Sequence, residues 1–217
     1  MGKAQYISKL EQSIFKQLNY TGGIMKRFQL GMLMIAMSFF VLACHGAPGH
    51  MLFKEDQSIN VFNIKPETGK AALVVARTTS YGGAIEFETY IDKKMIGVTK
   101  WSSYFVKTDV TPGAHYVITT AENVEPAKIN FQPMRVYYIQ EIPRMGVWKA
   151  RVSVALVTPQ ELSTSFDNGC KLVVYDINNP GDDLSDKDYL DAVRDYEREV
   201  KEGHHKEDAG YKGVPAK

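Results

Sequence analysis

A chain of 217 residues with 44% hydrophobic and 24% charged side chains can bury a substantial core and suits one domain with a tail. Its 26 basic residues nearly balance 25 acidic ones, for a formal net charge of +1. That balance gives no electrostatic case for nucleic acid or an acidic substrate as partner. Two cysteines, Cys44 and Cys170, allow one disulfide at most.

Residues 1–24 precede the first strong signal, and they read as an over-extended start or a disordered leader. The helical spacing of Ile7, Leu10, Ile14 and Leu18 offers a short amphipathic helix as the alternative. Met25 is the better start. Lys26 and Arg27 supply a positive segment, and Leu30 to Phe40 form an apolar run too short to span a bilayer comfortably. Residues 25–43 therefore read as a signal peptide with its own helix. Val41-Leu42-Ala43-Cys44 resembles the lipobox of bacterial lipoproteins. The resemblance implies signal cleavage between Ala43 and Cys44, lipid on the Cys44 thiol, and a protein anchored in the bacterial cell envelope. His45 follows the cysteine where an aspartate would resemble an inner-membrane retention signal, which implies the outer membrane. A lipidated Cys44 leaves Cys170 without an intramolecular partner, so no structural disulfide is expected.

Residues 44–57, rich in glycine, proline and short polar residues, read as a tether. Residues 58–178 read as a β-sandwich, because strand-like runs alternate with turn residues. Lys70 to Arg77 has the near-continuous apolar character of a strand buried on both faces or nearly so. Ala84 to Ile91 alternates, Asp92-Lys93-Lys94 turns, and Met95 to Val98 returns as the second arm of a hairpin. Ser103 to Val110 leads into the turn Thr111-Pro112-Gly113, and Ala114 to Thr120 comes back. Ala121 to Ala127 reads as a loop, Lys128 to Phe131 as a short edge, and Met134 to Glu141 and Trp148 to Val157 as strands. Pro159 starts a helical turn, and Cys170 to Tyr175 is a last strand or an extended arm. Residues 179–203 read as a helix: Ser185 and Asp188 make a start resembling a capping box, and Gly203 stops it. The polar residues 204–217 read as a disordered tail.

The strands also resemble a family of bacterial lipoproteins known only as a domain of unknown function, related to PEGA-type surface-layer modules. Ala72 to Arg77, the hairpin Tyr90 to Gly97, Tyr104-Phe105, the turn Thr111 to His115, and Val136 to Ile139 carry the resemblance over residues 69–157. It implies a mainly β fold, a small antiparallel sandwich of immunoglobulin-like or PEGA-like type, and an envelope location. It implies no activity.

No catalytic constellation stands out. Tyr81-Gly82-Gly83 lacks the strand-to-helix setting and the lysine of a phosphate loop. Ser80, His115 and Asp109 can be combined only on paper, and His115 reads more simply as a partly buried histidine with one hydrogen bond. His45 and His50 lack ligand spacing, and the acids at 182, 183, 186 and 188 suit a helix start, so no metal and no cofactor are expected. The expected function is a binding or scaffolding module, not an enzyme, with Tyr81, Trp101 and Tyr104 as candidate interaction surface. Its expected partners are the membrane, through the N-terminal lipid, and an envelope protein or cell-wall polymer. The alternative is an envelope hydrolase with its site on the loop Thr78 to Gly83 or Glu122 to Ala127.

Overall fold

A computed structural model describes residues 51–54, 63–146, 150–166, 171–175 and 181–216. The chain divides into units Met1–Gly46 and Ala47–Lys217, and every described residue lies in the second. Residues 25–43, read as a signal peptide, and Cys44, Trp148 and Cys170 lie outside the described residues.

Eleven strands are described: β1 (Met51–Lys54), β2 (Ala71–Arg77), β3 (Phe87–Ile91), β4 (Lys94–Thr99), β5 (Ser103–Val110), β6 (Gly113–Thr120), β7 (Val124–Phe131), β8 (Arg135–Met145), β9 (Ala150–Leu156), β10 (Lys171–Tyr175) and β11 (Val214–Pro215). Three helices accompany them, α1 (Pro159–Phe166), α2 (Asp186–Lys201) and α3 (Lys206–Gly210). The smaller sheet has the order β4-β3-β6-β7, and the larger has β1-β10-β5-β2-β8-β11 with β9 also on β8. The fold is thus a mainly β sandwich. The larger sheet is mixed, not purely antiparallel, because β2 runs parallel to β8 and β10 parallel to β5. The chain leaves the larger sheet after β5, builds β6 and β7 of the smaller one, and re-enters beside β2, and that long crossover permits a parallel pairing.

β2 is the central strand, and all seven of its residues are buried, as its near-continuous apolar run predicts. Ala71, Leu73 and Val75 face the smaller sheet and share a core with Val98, Val117, Ile129, Phe131, Tyr137 and Ile139. Ala72, Val74 and Ala76 face the other way, where Ile64, Val157 and Leu162 of α1 close a second core with Tyr104 and Tyr138. Pairing alone cannot bury both faces of a strand. The 63–66 segment and α1 form the extra layer that does.

At Gly97, β4 of the smaller sheet meets the Phe105 ring from β5 of the larger one. A Cβ built there would lie 2.6 Å from the Phe105 ring, a distance only backbone without a side chain tolerates. Gly97→Ala should therefore cost about 1–3 kcal/mol by overpacking. Combining it with Phe105→Leu should recover part of that loss in urea unfolding; equal midpoints for Gly97→Ala and wild type would refute the contact.

α2 covers the outer face of the smaller sheet. Ser185 is its N-cap, accepting from the Asp188 amide at 3.1 Å, and Gly203 follows the C-terminus at φ +92°. Ala192 and Tyr196 are buried against the sheet, and Tyr116 meets Tyr189 and Tyr196 edge-on. The acids at the helix start bind the β3–β4 turn: Asp186 pairs with Lys93 at 2.6 Å, and Asp183 accepts from the Met95 amide at 3.0 Å.

Among the boundaries that differ from the sequence reading, three change what a segment is. Residues 51–54, placed in the tether, form β1 paired antiparallel with β10. β7 begins at Val124, so most of the expected loop Ala121 to Ala127 is strand, with Pro126 tolerated because β7 is an edge. The tail is ordered: α3 and β11 form within 204–216, and Val214 pairs with Val136. Backbone pairing decided each of these, and composition does not report it.

Candidate interaction surface

Two ends of the sandwich follow from the register. Ala71 opposes Val110 at one end and Arg77 opposes Ser103 at the other. The Arg77 end carries the loop 78–86, Trp101, the β6–β7 turn, the end of β8 at Met145 and the start of β9 at Ala150.

A buried polar cluster builds this end. Glu141, on β8, is fully buried and reaches across to the smaller sheet. Its carboxylate accepts from the hydroxyls of Thr89 at 2.7 Å, Thr119 at 3.3 Å, and Thr99. These threonines come from three neighbouring strands, β3, β6 and β4. Arg77 pairs in register with Glu141, is also fully buried, and sits with its guanidinium carbon 4.0 Å from the centre of the Phe87 ring. It donates to the Ile85 and Tyr81 carbonyl oxygens, each at 2.7 Å. Glu141 thus joins the two sheets through its threonines, and Arg77 beside it holds the loop.

Burial pushes the Glu141 carboxyl up from its ordinary range, and the hydroxyls of Thr99 and Thr89, the charge of Arg77 and then Thr119 pull it back less strongly. Burial likewise lowers Arg77, against the pull of Glu141. An acid whose folded pKa lies above its unfolded value holds its proton more tightly in the native state. Its contribution to stability is complete below the ordinary value of 4.5 and is lost as pH rises through the folded value. Urea midpoints should therefore show wild type losing stability relative to Glu141→Gln as pH rises from 4.5, and a constant difference would contradict this.

The loop in front is tightly set. The Tyr81 amide donates to Thr79 Oγ1 at 3.2 Å, the Gly83 amide to the Ser80 carbonyl at 2.9 Å, and Gln140 Nε2 to Thr78 Oγ1 at 2.8 Å. Gly83 lies on the Trp101 ring, where a Cβ would fall 2.2 Å from Cδ1. Trp101 takes φ +55°, and Lys100 Nζ sits 5.1 Å over its ring and 3.1 Å from Glu86. The resulting surface has an exposed phenol, Tyr81 at 50%, beside a partly covered indole flanked by one cation and one carboxylate. Such a surface can stack on a sugar ring or receive an apolar side chain with polar groups at its rim.

Of the three residues expected here, the structure brings Tyr81 and Trp101 to one end and removes Tyr104. Tyr104 is fully buried, in the core beneath α1. Register explains the correction, since Tyr104 opposes Ala76 on β2 and shares its outward-facing core. The paper triad separates as well. Ser80 lies in the loop at the Arg77 end, whereas Asp109 and His115 flank the Thr111–Gly113 turn at the Val110 end. His115 Nδ1 bonds Asp92 at 2.8 Å and Asp109 pairs with Lys107 at 2.7 Å. Both loops named for the hydrolase alternative, 78–83 and 122–127, start at the Arg77 end. Among the described residues no group of three or more histidine, cysteine or acidic side chains could hold a metal.

Sequence reasoning missed Arg77, Glu141 and their threonines. The available signal was a charge closing each of two otherwise apolar strands, with threonine at inward positions of the strands opposite.

No family model matches this chain, and no solved structure matches it. A protein of Haemophilus influenzae described as an uncharacterized protein is 26% identical over 128 residues, 58% of this chain and 74% of that relative. The chain is similar to it over most of that protein's length, and the description attaches no activity.

Proposed function

We propose that this chain is a lipid-anchored lipoprotein of the bacterial envelope, seated in the outer membrane, whose β-sandwich is a binding or scaffolding module for an envelope protein or cell-wall polymer. The observation that carries the proposal is Val41-Leu42-Ala43-Cys44 behind a basic segment and a short apolar run. The geometry supports the binding half. Tyr81 stands on a loop held from behind by Arg77, and Trp101 of the β4–β5 turn lies against Gly83 of that loop, so little ordering remains to be done when a partner docks. The most strongly desolvated ionic groups, Arg77 and Glu141, serve that support from the interior.

Mass spectrometry of protein extracted from membranes tests the anchor. The expected mass is that of a chain beginning at Cys44 plus acyl groups, and Cys44→Ala should lose both the added mass and stable membrane attachment. An unmodified chain that still carries residues 1–43 would overturn the proposal.

A further inference from the structure

Cations of this fold commonly sit on an acid, as Lys93 does on Asp186, Lys100 on Glu86 and Lys128 on Glu197. Arg144 and Arg151 instead sit on each other. They stand directly opposite in the β8–β9 pairing, and both are exposed. Arg144 lies three positions beyond the inward-facing Glu141, and Arg151 adjoins the inward-facing Val152, so strand alternation turns both onto the outer face of the larger sheet. Opposed side chains on one face start about 5 Å apart at Cβ, and like charges placed there are destabilising. Among the described residues no acid forms an ion pair with either arginine. Glu125, the carboxylate whose charge reaches Arg144, is partly buried and accepts from the Val154 amide. The platform beneath the arginines is fixed. Arg144 Nε donates to Ser153 Oγ at 2.7 Å, and the Asn123 side chain holds the outer edge of β9, donating to the Val152 carbonyl at 2.9 Å and accepting from its amide at 2.8 Å.

We propose that Arg144 and Arg151 form a binding site for a phosphate monoester on the outer face of the larger sheet, at the Arg77 end. The site goes beyond the binding module proposed above and is independent of an anchor at Cys44. Two opposed cations without an acid cost stability until an anion lies between them, and the charge of the ligand then turns the repulsion into attraction. The guanidinium fork selects the kind of anion. A carboxylate offers two oxygens, and one bidentate fork uses both. A phosphate monoester carries about −1.5 to −2 at neutral pH and offers three strong acceptor oxygens, so two forks can grip it at once. With Nε of Arg144 already given to Ser153, its terminal amino groups remain to meet the phosphate, and Arg151 closes from the opposite strand.

Titration of the detergent-extracted protein with inorganic phosphate tests the site. Wild type should bind phosphate, and Arg144→Gln and Arg151→Gln should each weaken binding at least about tenfold. Arg151→Lys keeps the charge without the planar fork and should fall between them and wild type. Acetate should bind wild type at least about tenfold more weakly than phosphate does. In phosphate-free buffer of low ionic strength the Gln variants should unfold at urea midpoints equal to or above wild type, since each removes a repulsion. Glucose phosphate and phosphatidic acid in mixed micelles present the same monoester on a sugar and on a lipid. Whichever binds more tightly than inorganic phosphate identifies the source, and equal binding by all three identifies free phosphate. No binding of phosphate by wild type, or equal affinity in wild type and both Gln variants, would overturn the site. Acetate binding as tightly as phosphate would overturn the choice of phosphate.

Discussion

Arg77→Ala should lower the free energy of unfolding by about 3–5 kcal/mol, the range for leaving a buried charge uncompensated. The variant leaves the Glu141 carboxylate in the interior with threonine hydroxyls but no countercharge. It also leaves the Tyr81 and Ile85 carbonyl oxygens without their guanidinium donor. Two consequences separate this mechanism from simple loss of packing. The loss should be larger at pH 8 than at pH 5, because removing Arg77 raises the Glu141 carboxyl further and makes its ionisation costlier as pH rises. Limited proteolysis should also cut within 78–86 faster than elsewhere, since those carbonyls anchor that loop. Arg77→Met, which keeps an apolar stem on the Phe87 ring, should behave like Arg77→Ala in the pH dependence while losing less overall. A loss under 1 kcal/mol that does not change with pH would show that the Arg77 guanidinium contributes little.

Truncation after Gly203 should cost about 3–5 kcal/mol, although the segment removed reads as a polar tail. Tyr211 explains the size. Its hydroxyl accepts from the Tyr138 amide at 2.7 Å, and the Tyr138 and Val157 carbonyl oxygens lie 3.1 and 2.9 Å away to take its proton. β8 is paired by β11 at Arg135 and Val136 and by β9 from Ile139 onward, and the phenol fills the gap at Tyr138 between them. Removing it uncovers a buried amide, worth about 1–3 kcal/mol, and the apolar area of the ring that packs edge-on against Tyr137. The truncation also releases the Arg135 bond to the Gly213 carbonyl and the β11 pairing. Tyr211→Phe should show the hydrogen-bond part alone, about 1–3 kcal/mol. Urea unfolding of both variants makes the comparison, and a truncated chain as stable as wild type would mean that these contacts contribute nothing net.

Burial also decides how two of the three aromatic candidates behave. Tyr81→Ala should leave the unfolding midpoint within experimental error, because its ring is half exposed. Tyr104, also chosen as a surface residue, has no accessible area at all. Both stand in stretches bordered by turn residues, and the sequence offers nothing local to tell them apart.

The sequence by itself determined the local pieces. The apolar run from Ala71 to Arg77, the turns at Asp92–Lys94 and Thr111–Gly113, and the helix from Ser185 to Gly203 are all legible, because side-chain period, turn chemistry and capping act between residues a few positions apart. The proposed signal and anchor at Cys44 likewise rest on a linear pattern, residues 25–44. Tertiary structure alone decided the rest. Glu141 meets Thr89 across 52 positions and Thr99 across 42, and Tyr211 meets Tyr138 across 73. Which residues face each other across such separations is set by strand register, and a slip of one residue would turn every inward side chain outward. That is why Arg77 and Glu141 read as ordinary strand ends until the sheets were paired, and why Tyr104 read as surface until it faced Ala76.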